Sequence, residues 1–268
     1  MAILKDEAQV LRVHEQGNTS LVLIMLGRRL GQFRIHAKGA RRWPKKGFEG
    51  GFDLLCRGEI VLFPRASEGL WLYKEWDERG RPRIGKSPES LRAASYLCEL
   101  AEALTRETAG ALPEPGGESD SQQNPNAGLY DHLNHAAAAL DRGEPAAHTL
   151  LNFTLQALRS EGLLPELDAC SHCSRKLRKM TEPVWLSGDG FQCAGCAKDA
   201  RSEMRVRGTW LTPEAHRALL HIDSTSRPVK ISVTAAKQLA RAMVLLVHGA
   251  LEHDLRTLHA AALVIAGG

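Results

Sequence analysis

Two Cys-x-x-Cys pairs constrain this chain more than any other feature. Cys170 and Cys173 are two residues apart, as are Cys193 and Cys196, with nineteen residues between the pairs. The spacing is that of a structural metal site: each pair clasps one edge, and four thiolates close a tetrahedron with no position left for water. The segment between must fold back on itself, and "VWLSGDGFQC" predicts a hairpin turning at "SGDG". A four-cysteine zinc ribbon is the expectation, with iron as the second choice of metal. Thiol redox pairs or a disulfide framework would use the same letters, and a cytosolic chain outside a thioredoxin-like context disfavours both. Cys56 and Cys98 stand alone and are expected to be small buried residues.

The hydrophobic period changes once along the chain. Before Pro88, "EAQVLRVHE", "TSLVLIML", "QFRIHAK", "DLLCRGEIVLF" and "LWLYKEW" predict five strands, with "QGN" a turn after the first. Five short strands with a long basic loop after the third suit an OB-fold barrel. After it, "PESLRAASYLCELAEALTRET" predicts a helix capped by Ser87 with proline at its first position. Helical periods recur at "LYDHLNHAAAALDRG", "EPAAHTLLNFTLQALRSEG", "TPEAHRALLHID" and "VTAAKQLARAMVLLVHGALEH". The expected organisation is α+β and multidomain. It comprises an OB-fold over residues 1–85, a helical domain over 86–167 with a flexible loop at 109–127, a zinc ribbon over 168–200, and helices over 201–268 that complete the helical domain. No stretch approaches the ~18 apolar residues of a membrane span. "MAILKDEAQV" carries no export signal, so a cytoplasmic location is expected.

Charge is uneven. Residues 1–87 hold 17 basic and 10 acidic groups, residues 88–167 hold 4 and 12, and residues 168–268 hold 14 and 9. The densest run is Arg28, Arg29, Arg34, Lys38, Arg41, Arg42, Lys45 and Lys46, without one acid between them. Such a patch is what a phosphate-backbone binder needs, since each neutralised phosphate releases counterions; the alternative is a solvated loop. In "QFRIHAK", Phe33, Ile35 and Ala37 share one face and Arg34, His36 and Lys38 the other. Trp43 either stacks on a base or folds the loop onto the barrel. Arg175, Lys176, Arg178 and Lys179, beside the first cysteine pair, form a second candidate contact.

"GRPRIGKS", Gly80 to Ser87, satisfies the phosphate-loop pattern, which makes a nucleotide hydrolase using Lys86 one alternative. The charged "YKEWDER" before it, Pro82 within it and the lack of a βα alternation after it favour an interdomain linker. No residues in the chain form a recognisable catalytic constellation. An RNA-binding barrel-plus-ribbon protein is the other alternative.

"DEAQVLRVHEQGNTSLVLIMLGRRLGQFRIHAKGARR" resembles the start of the RecO family of bacterial DNA repair and recombination proteins. "LLNFTLQALRSEGLLPELDACSHC" and "LSGDGFQCAGC" resemble that family's helix-to-zinc junction and second knuckle. The resemblance implies an OB-fold followed by a helical domain carrying an inserted zinc ribbon. It further implies a non-enzymatic mediator in the RecF-type pathway, nucleoid-associated in a bacterial cytoplasm. Such a protein binds single- and double-stranded DNA, anneals strands, and with RecR helps load RecA onto DNA covered by single-strand-binding protein. By motif, Arg34, Lys38, Arg41 and Arg42 match the family's DNA contacts, and Cys170, Cys173, Cys193 and Cys196 its zinc ligands. Residues 109–127 depart from the family in being longer and more polar.

Overall fold

The computed structural model describes residues 3–40, 52–63, 70–105, 126–203, 208–225, 227–251 and 253–267. The described part opens with β1 (Leu4–Gln16), β2 (Ser20–Gly27) and β3 (Gly31–Ala37), followed by β4 (Arg57–Phe63) and β5 (Leu70–Gly80). They close into a barrel in the order β1-β2-β3-β5-β4, the expected OB-like fold. β1 pairs with β4 through Leu4–Gln9 and with β2 from Ala8 onward. A register shift between Val10 and Arg12 separates most of the two pairings; one extra residue bends a strand, which lets β1 serve both neighbours. A short parallel pairing, Arg34 with Leu70 and Ile35 with Trp71, joins β3 to β5.

Alternation sorts the side chains. Val10, Leu23, Met25, Phe33, Ile35 and Ile60 point into one buried cluster, each contributing about 1.5–3 kcal/mol by burial. The fourth strand begins later than "DLLC" suggests. Asp53 Oδ1 accepts from the Leu54 amide at 2.7 Å, and Leu55 sits at φ 61. Leu55 and Cys56 then exchange backbone hydrogen bonds with Val10, so this apolar run forms a turn.

Asp6 fixes the β2–β3 turn. Its buried carboxylate accepts from the amides of Arg29 at 3.0 Å and Leu30 at 2.8 Å. Gly27 is required beside it, because a Cβ there would run into the Asp6 carboxylate and, at 2.9 Å, the Phe33 ring. Burial raises the Asp6 pKa above its ordinary 3.8 despite the amides of Leu30 and Arg29.

Helix α1 (Pro88–Leu104) starts as expected, with Ser87 Oγ accepting from the Ser90 amide at 3.1 Å. The chain packs as two compact units, Met1–Lys86 with Leu97–Asp141, and Ser87–Tyr96 with Arg142–Gly268. In the first, the later part of α1 meets the barrel. Arg12 Nε lies 2.7 Å from Glu102 Oε2, and Thr105 Oγ1 donates to Gln32 Oε1 at 2.7 Å. Helix α2 (Ala127–Arg142) belongs to the same unit. The loop expected at 109–127 lies outside the described residues except for its last two.

The second unit holds α3 (Ala146–Ser160), β6 (Val184–Ser187), β7 (Gly190–Gln192), α4 (Ala194–Glu203), β8 (Gly208–Leu211), α5 (Pro213–Thr225), α6 (Val233–Ala250) and α7 (Leu258–Gly267). Helices α3, α5, α6 and α7 pack together, and the Tyr96 and Thr154 hydroxyls hydrogen-bond at 2.8 Å. The expected hairpin is present, with Ser187 opposite Gly190, and β8 adds a third strand on the far side of β6. Trp185 and Trp210 pair across those strands, ring centroids 5.2 Å apart. Gly208 has no room for a side chain against Trp185.

Asp6→Ala is expected to leave the Arg29 and Leu30 amides unsatisfied and to cost about 1–3 kcal/mol in urea melts. A raised carboxyl pKa favours the protonated native state. That contribution is full below 3.8 and is lost as the pH rises through the raised value. Asp6→Asn keeps an acceptor for the turn and should flatten this part of the stability–pH curve.

Candidate metal centre and nucleic-acid surface

The metal centre is assembled from two backbone knuckles. In the first, the Cys170 amide donates to Arg175 O at 2.9 Å and the Ser174 amide to Cys170 O at 2.8 Å. Ser174 turns the chain at φ 58, a left-handed conformation that a non-glycine residue adopts at a cost. In the second, Cys193 directly follows β7 and Cys196 falls in the first turn of α4, where the Ala197 amide donates to Cys193 O at 3.0 Å. Two bonds tie the knuckles together: the Ser171 amide to Phe191 O at 2.8 Å, and the Cys193 amide to Cys170 Sγ at 3.4 Å.

All four sulfurs lie within 4.8 Å of one another, and Cys173 Sγ stands 3.8 Å from Cys193 Sγ. Four thiolates about 2.3 Å from a central ion would be spaced about 3.8 Å apart, so the donors fit a tetrahedral metal. Burial opposes ionisation of Cys170, but the amides of Cys173, Cys193 and His172 hold its pKa down to about 6. Cys196 is pushed up to about 12, first by its hydrogen bond with Cys193 and then by burial. Neighbouring sulfurs thus resist sharing negative charge, and a cation at their centre removes that resistance.

His216, which the sequence does not single out among eleven histidines, braces this centre. It is buried on α5, with Nε2 2.8 Å from Leu167 O and its ring 5.9 Å from that of Phe191. Burial lowers its pKa, which favours the neutral ring donating to Leu167 O.

The basic residues fall into distinct settings. Phe33, Ile35 and Ala37 are buried in the barrel, as alternation requires, while Arg34 and Lys38 are exposed and His36 is half-buried. Neither Arg34 nor Lys38 forms an ion pair among the described residues. Arg28 and Arg29, in the turn that Asp6 holds, are engaged locally. Arg28 lies 3.7 Å from Glu7 and 3.4 Å from Asp131, and Arg29 Nη2 donates to Lys5 O at 3.1 Å. Arg41, Arg42, Trp43, Lys45 and Lys46 lie outside the described residues. Arg175, Lys176, Arg178 and Lys179 are all exposed beside the first knuckle.

Gly80–Ser87 does not take the form of a phosphate loop. The strand before it, β5, is antiparallel to β4, and residues Ile84–Lys86 form a short 3-10 turn. Asp141 secures that turn by accepting from the Arg83 amide at 2.9 Å, and Lys86 Nζ donates to Asp141 O at 3.1 Å. The pattern's lysine and serine thus bond within the chain, the serine as the α1 cap.

A groove of about 610 Å³ runs along α6, α7 and β8. Ala240, Val244 and Leu263 line it, and Lys237, Arg241 and His259 are its charged or titratable groups. The sequence hides it because α7, "LHAAALVIAG", is almost wholly apolar and shows no helical period.

Comparison with known proteins agrees with this architecture. Residues 1–77 match the family described as recombination protein O, N terminal, and residues 120–259 match recombination protein O, C terminal. The chain belongs to the RecO family. It is 31% identical over 215 residues to a DNA repair protein RecO of Rhodopirellula baltica, covering 79% of this chain and 73% of the relative. It is 29% identical over 189 residues to one of Anaeromyxobacter sp. strain K, covering 70% and 68%. A Bacillus pumilus relative of the same name is 24% identical over 204 residues, covering 72% and 68%. The N-terminal RecO match spans the barrel into β5, and the C-terminal match takes in all four cysteines. Among the described residues no helix is long and apolar enough to cross a membrane.

Cys193→Ser removes one ligand and with it the contact of Cys193 Sγ with Cys173 Sγ across the two knuckles. It is expected to abolish metal retention, assayed by atomic absorption, and to lower the melting transition of the second unit. The first unit should keep its transition, followed by exchange protection of β1–β5 amides.

Proposed function

We propose that this protein is a non-catalytic DNA-binding mediator of repair and recombination. It binds single- and double-stranded DNA, anneals complementary strands, and with RecR helps load RecA onto DNA held by single-strand-binding protein. The bacterial cytoplasm, at the nucleoid, is where it acts. The observation that carries the reading is the outer face of β3. Arg34 stands exposed there, and Lys38 in the turn directly after it, both without an acidic partner among the described residues; the strand's alternate side chains are locked in the barrel core.

The physical step is phosphate neutralisation. The barrel strand already fixes the backbone that carries Arg34 and leads into Lys38, so little backbone ordering is left to oppose binding, and counterions leave the DNA. Arg28, Arg29, Arg41, Arg42, Lys45 and Lys46 extend the same basic stretch, and Trp43 supplies a ring for a base to stack on. Two strands held by such contacts lose the mutual repulsion that slows pairing. Membership in a family whose relatives are named DNA repair proteins supports the reading.

The four cysteines hold a structural zinc, which would supply folding energy to the ribbon and no reaction chemistry. The sulfur spacing and the all-thiolate donor set favour zinc over a harder ion. The α6–α7 groove, lined by Ala240, Val244 and Leu263 and basic at Lys237 and Arg241, suits the acidic tail of single-strand-binding protein. A hydrolase role for Lys86 is disfavoured by its bond to Asp141 O.

Arg34→Ala combined with Lys38→Ala should weaken binding to DNA of any sequence. Two lost contacts should reduce the slope of log affinity against log salt by about 1.4–1.8. Fluorescence anisotropy across a salt series checks it, with circular dichroism to confirm folding. An unchanged slope would make this face a solvated surface.

A further inference from the structure

The first metal knuckle carries charge in a manner that the barrel does not explain. Arg175, Lys176, Arg178 and Lys179 are exposed around Leu177, which is wholly buried. The backbone from Arg175 to Arg178 is pinned residue by residue. Arg175 O accepts from the Cys170 amide, Lys176 bridges to Ala169, and the Leu177 amide donates to Asp168 O at 2.9 Å. The Arg178 amide donates to Asp168 Oδ1 at 2.8 Å, and Met180 closes back on Leu177 at 3.0 Å. Asp168 also lies 3.5 Å from Arg178 Nε. Among the described residues Arg175, Lys176 and Lys179 form no ion pair. The knuckle therefore carries three cations on a largely pinned backbone, with the exposed hydroxyl-bearing Ser171 and Ser174 beside them.

We propose that this knuckle is a second DNA-binding surface, one that holds the phosphate backbone of a single strand independently of the barrel. The inference rests on the DNA-mediator reading and deepens it. The surface grips chiefly phosphate, because residues 170–180 hold no Phe, Tyr or Trp and Phe191, whose carbonyl bonds the knuckle, is buried. Binding there is indifferent to sequence and steeply salt-dependent. The knuckle and β3 belong to different compact units, so each unit brings its own backbone contact. A protein with one such surface per unit can hold two strands at once, which annealing needs.

A four-thiolate site around a divalent ion carries a net negative charge, and the cations could serve only to balance it. That alternative makes a different prediction: their loss would weaken metal retention and leave DNA binding unaltered.

The test uses the full-length, metal-loaded protein with Arg175→Ala, Lys176→Ala and Lys179→Ala combined, keeping Arg178 because it clamps Asp168. Metal content is measured, then the salt slope on a single-stranded oligonucleotide. Capture of a second labelled, non-complementary strand by protein already holding one is read by energy transfer. Three lost contacts should lower the slope by about 2, at about 0.7 each, and second-strand capture should disappear. Unchanged slope and capture, with or without loss of metal, overturn the proposal. If the triple variant does not fold, Lys179→Glu, outside the Cys170–Lys176 hydrogen-bonded turn, should lower the slope by about 0.7 or more; no change there also overturns it. The Arg34 and Lys38 variant runs in parallel. An effect only in that variant leaves the barrel reading standing and overturns the knuckle. An effect only in the knuckle variant supports the knuckle and overturns the barrel reading.

Discussion

Closure of the barrel by the short pairing of β3 with β5 is the constraint on which the rest of the first unit depends. Among the described residues two pairs make the junction, Arg34 with Leu70 and Ile35 with Trp71, yet they turn an open meander into a cylinder without edges. Once closed, every strand has one inner and one outer face. Ile35 must go in, so Arg34 must go out, and Lys38 follows in the exposed turn after the strand. Gln32 lies on the same outer face but is covered, bonded to Thr105 at the end of α1. The end of α1 thus covers one end of the β3 outer face and leaves the cationic end to solvent.

The second unit is organised by a different constraint, the need to bring four sulfurs within 4.8 Å. No hydrophobic core fixes atoms that tightly by itself. The task falls to directional bonds: amides to Cys170, the Ser171–Phe191 link between knuckles, and His216 reaching Leu167 O from α5. In the three-stranded sheet that leads into the second knuckle, Trp185 and Trp210 pair across β6 and β8. One consequence is that the residues between and after the first two cysteines cannot be floppy, however polar they are.

Much of this was legible in the sequence because it follows from period and spacing. Period-two runs marked the five strands, the Ser87–Pro88 pair marked the start of α1, and the cysteine spacing required the hairpin. What escaped had no local signal. Helix α7 is too uniformly apolar to show a face; α4 begins inside the second cysteine pair, which dominates its sequence; β8 is only four residues, Gly208–Leu211. "DLLC" looked like strand because the left-handed turn at Leu55 carries no glycine. The basic run was visible as charge, but charge alone does not tell Arg28, held by Glu7 and Asp131, from Arg34, which stands clear of acids among the described residues. Asp6 and His216 do their work through partners remote in sequence, which no short motif records.

The central claim is that backbone phosphate, read through counterion release, is what this protein recognises. The salt dependence of the unaltered protein's affinity tests it most directly, on two single-stranded DNAs of unrelated sequence, the duplex of one of them, and the matching RNA. The account predicts that log affinity falls linearly with log salt, with one slope shared by the two DNA strands and a slope for the duplex steeper in the ratio of about 0.9 to 0.7. A salt-independent affinity, a strong preference for one sequence, or binding confined to RNA would contradict it.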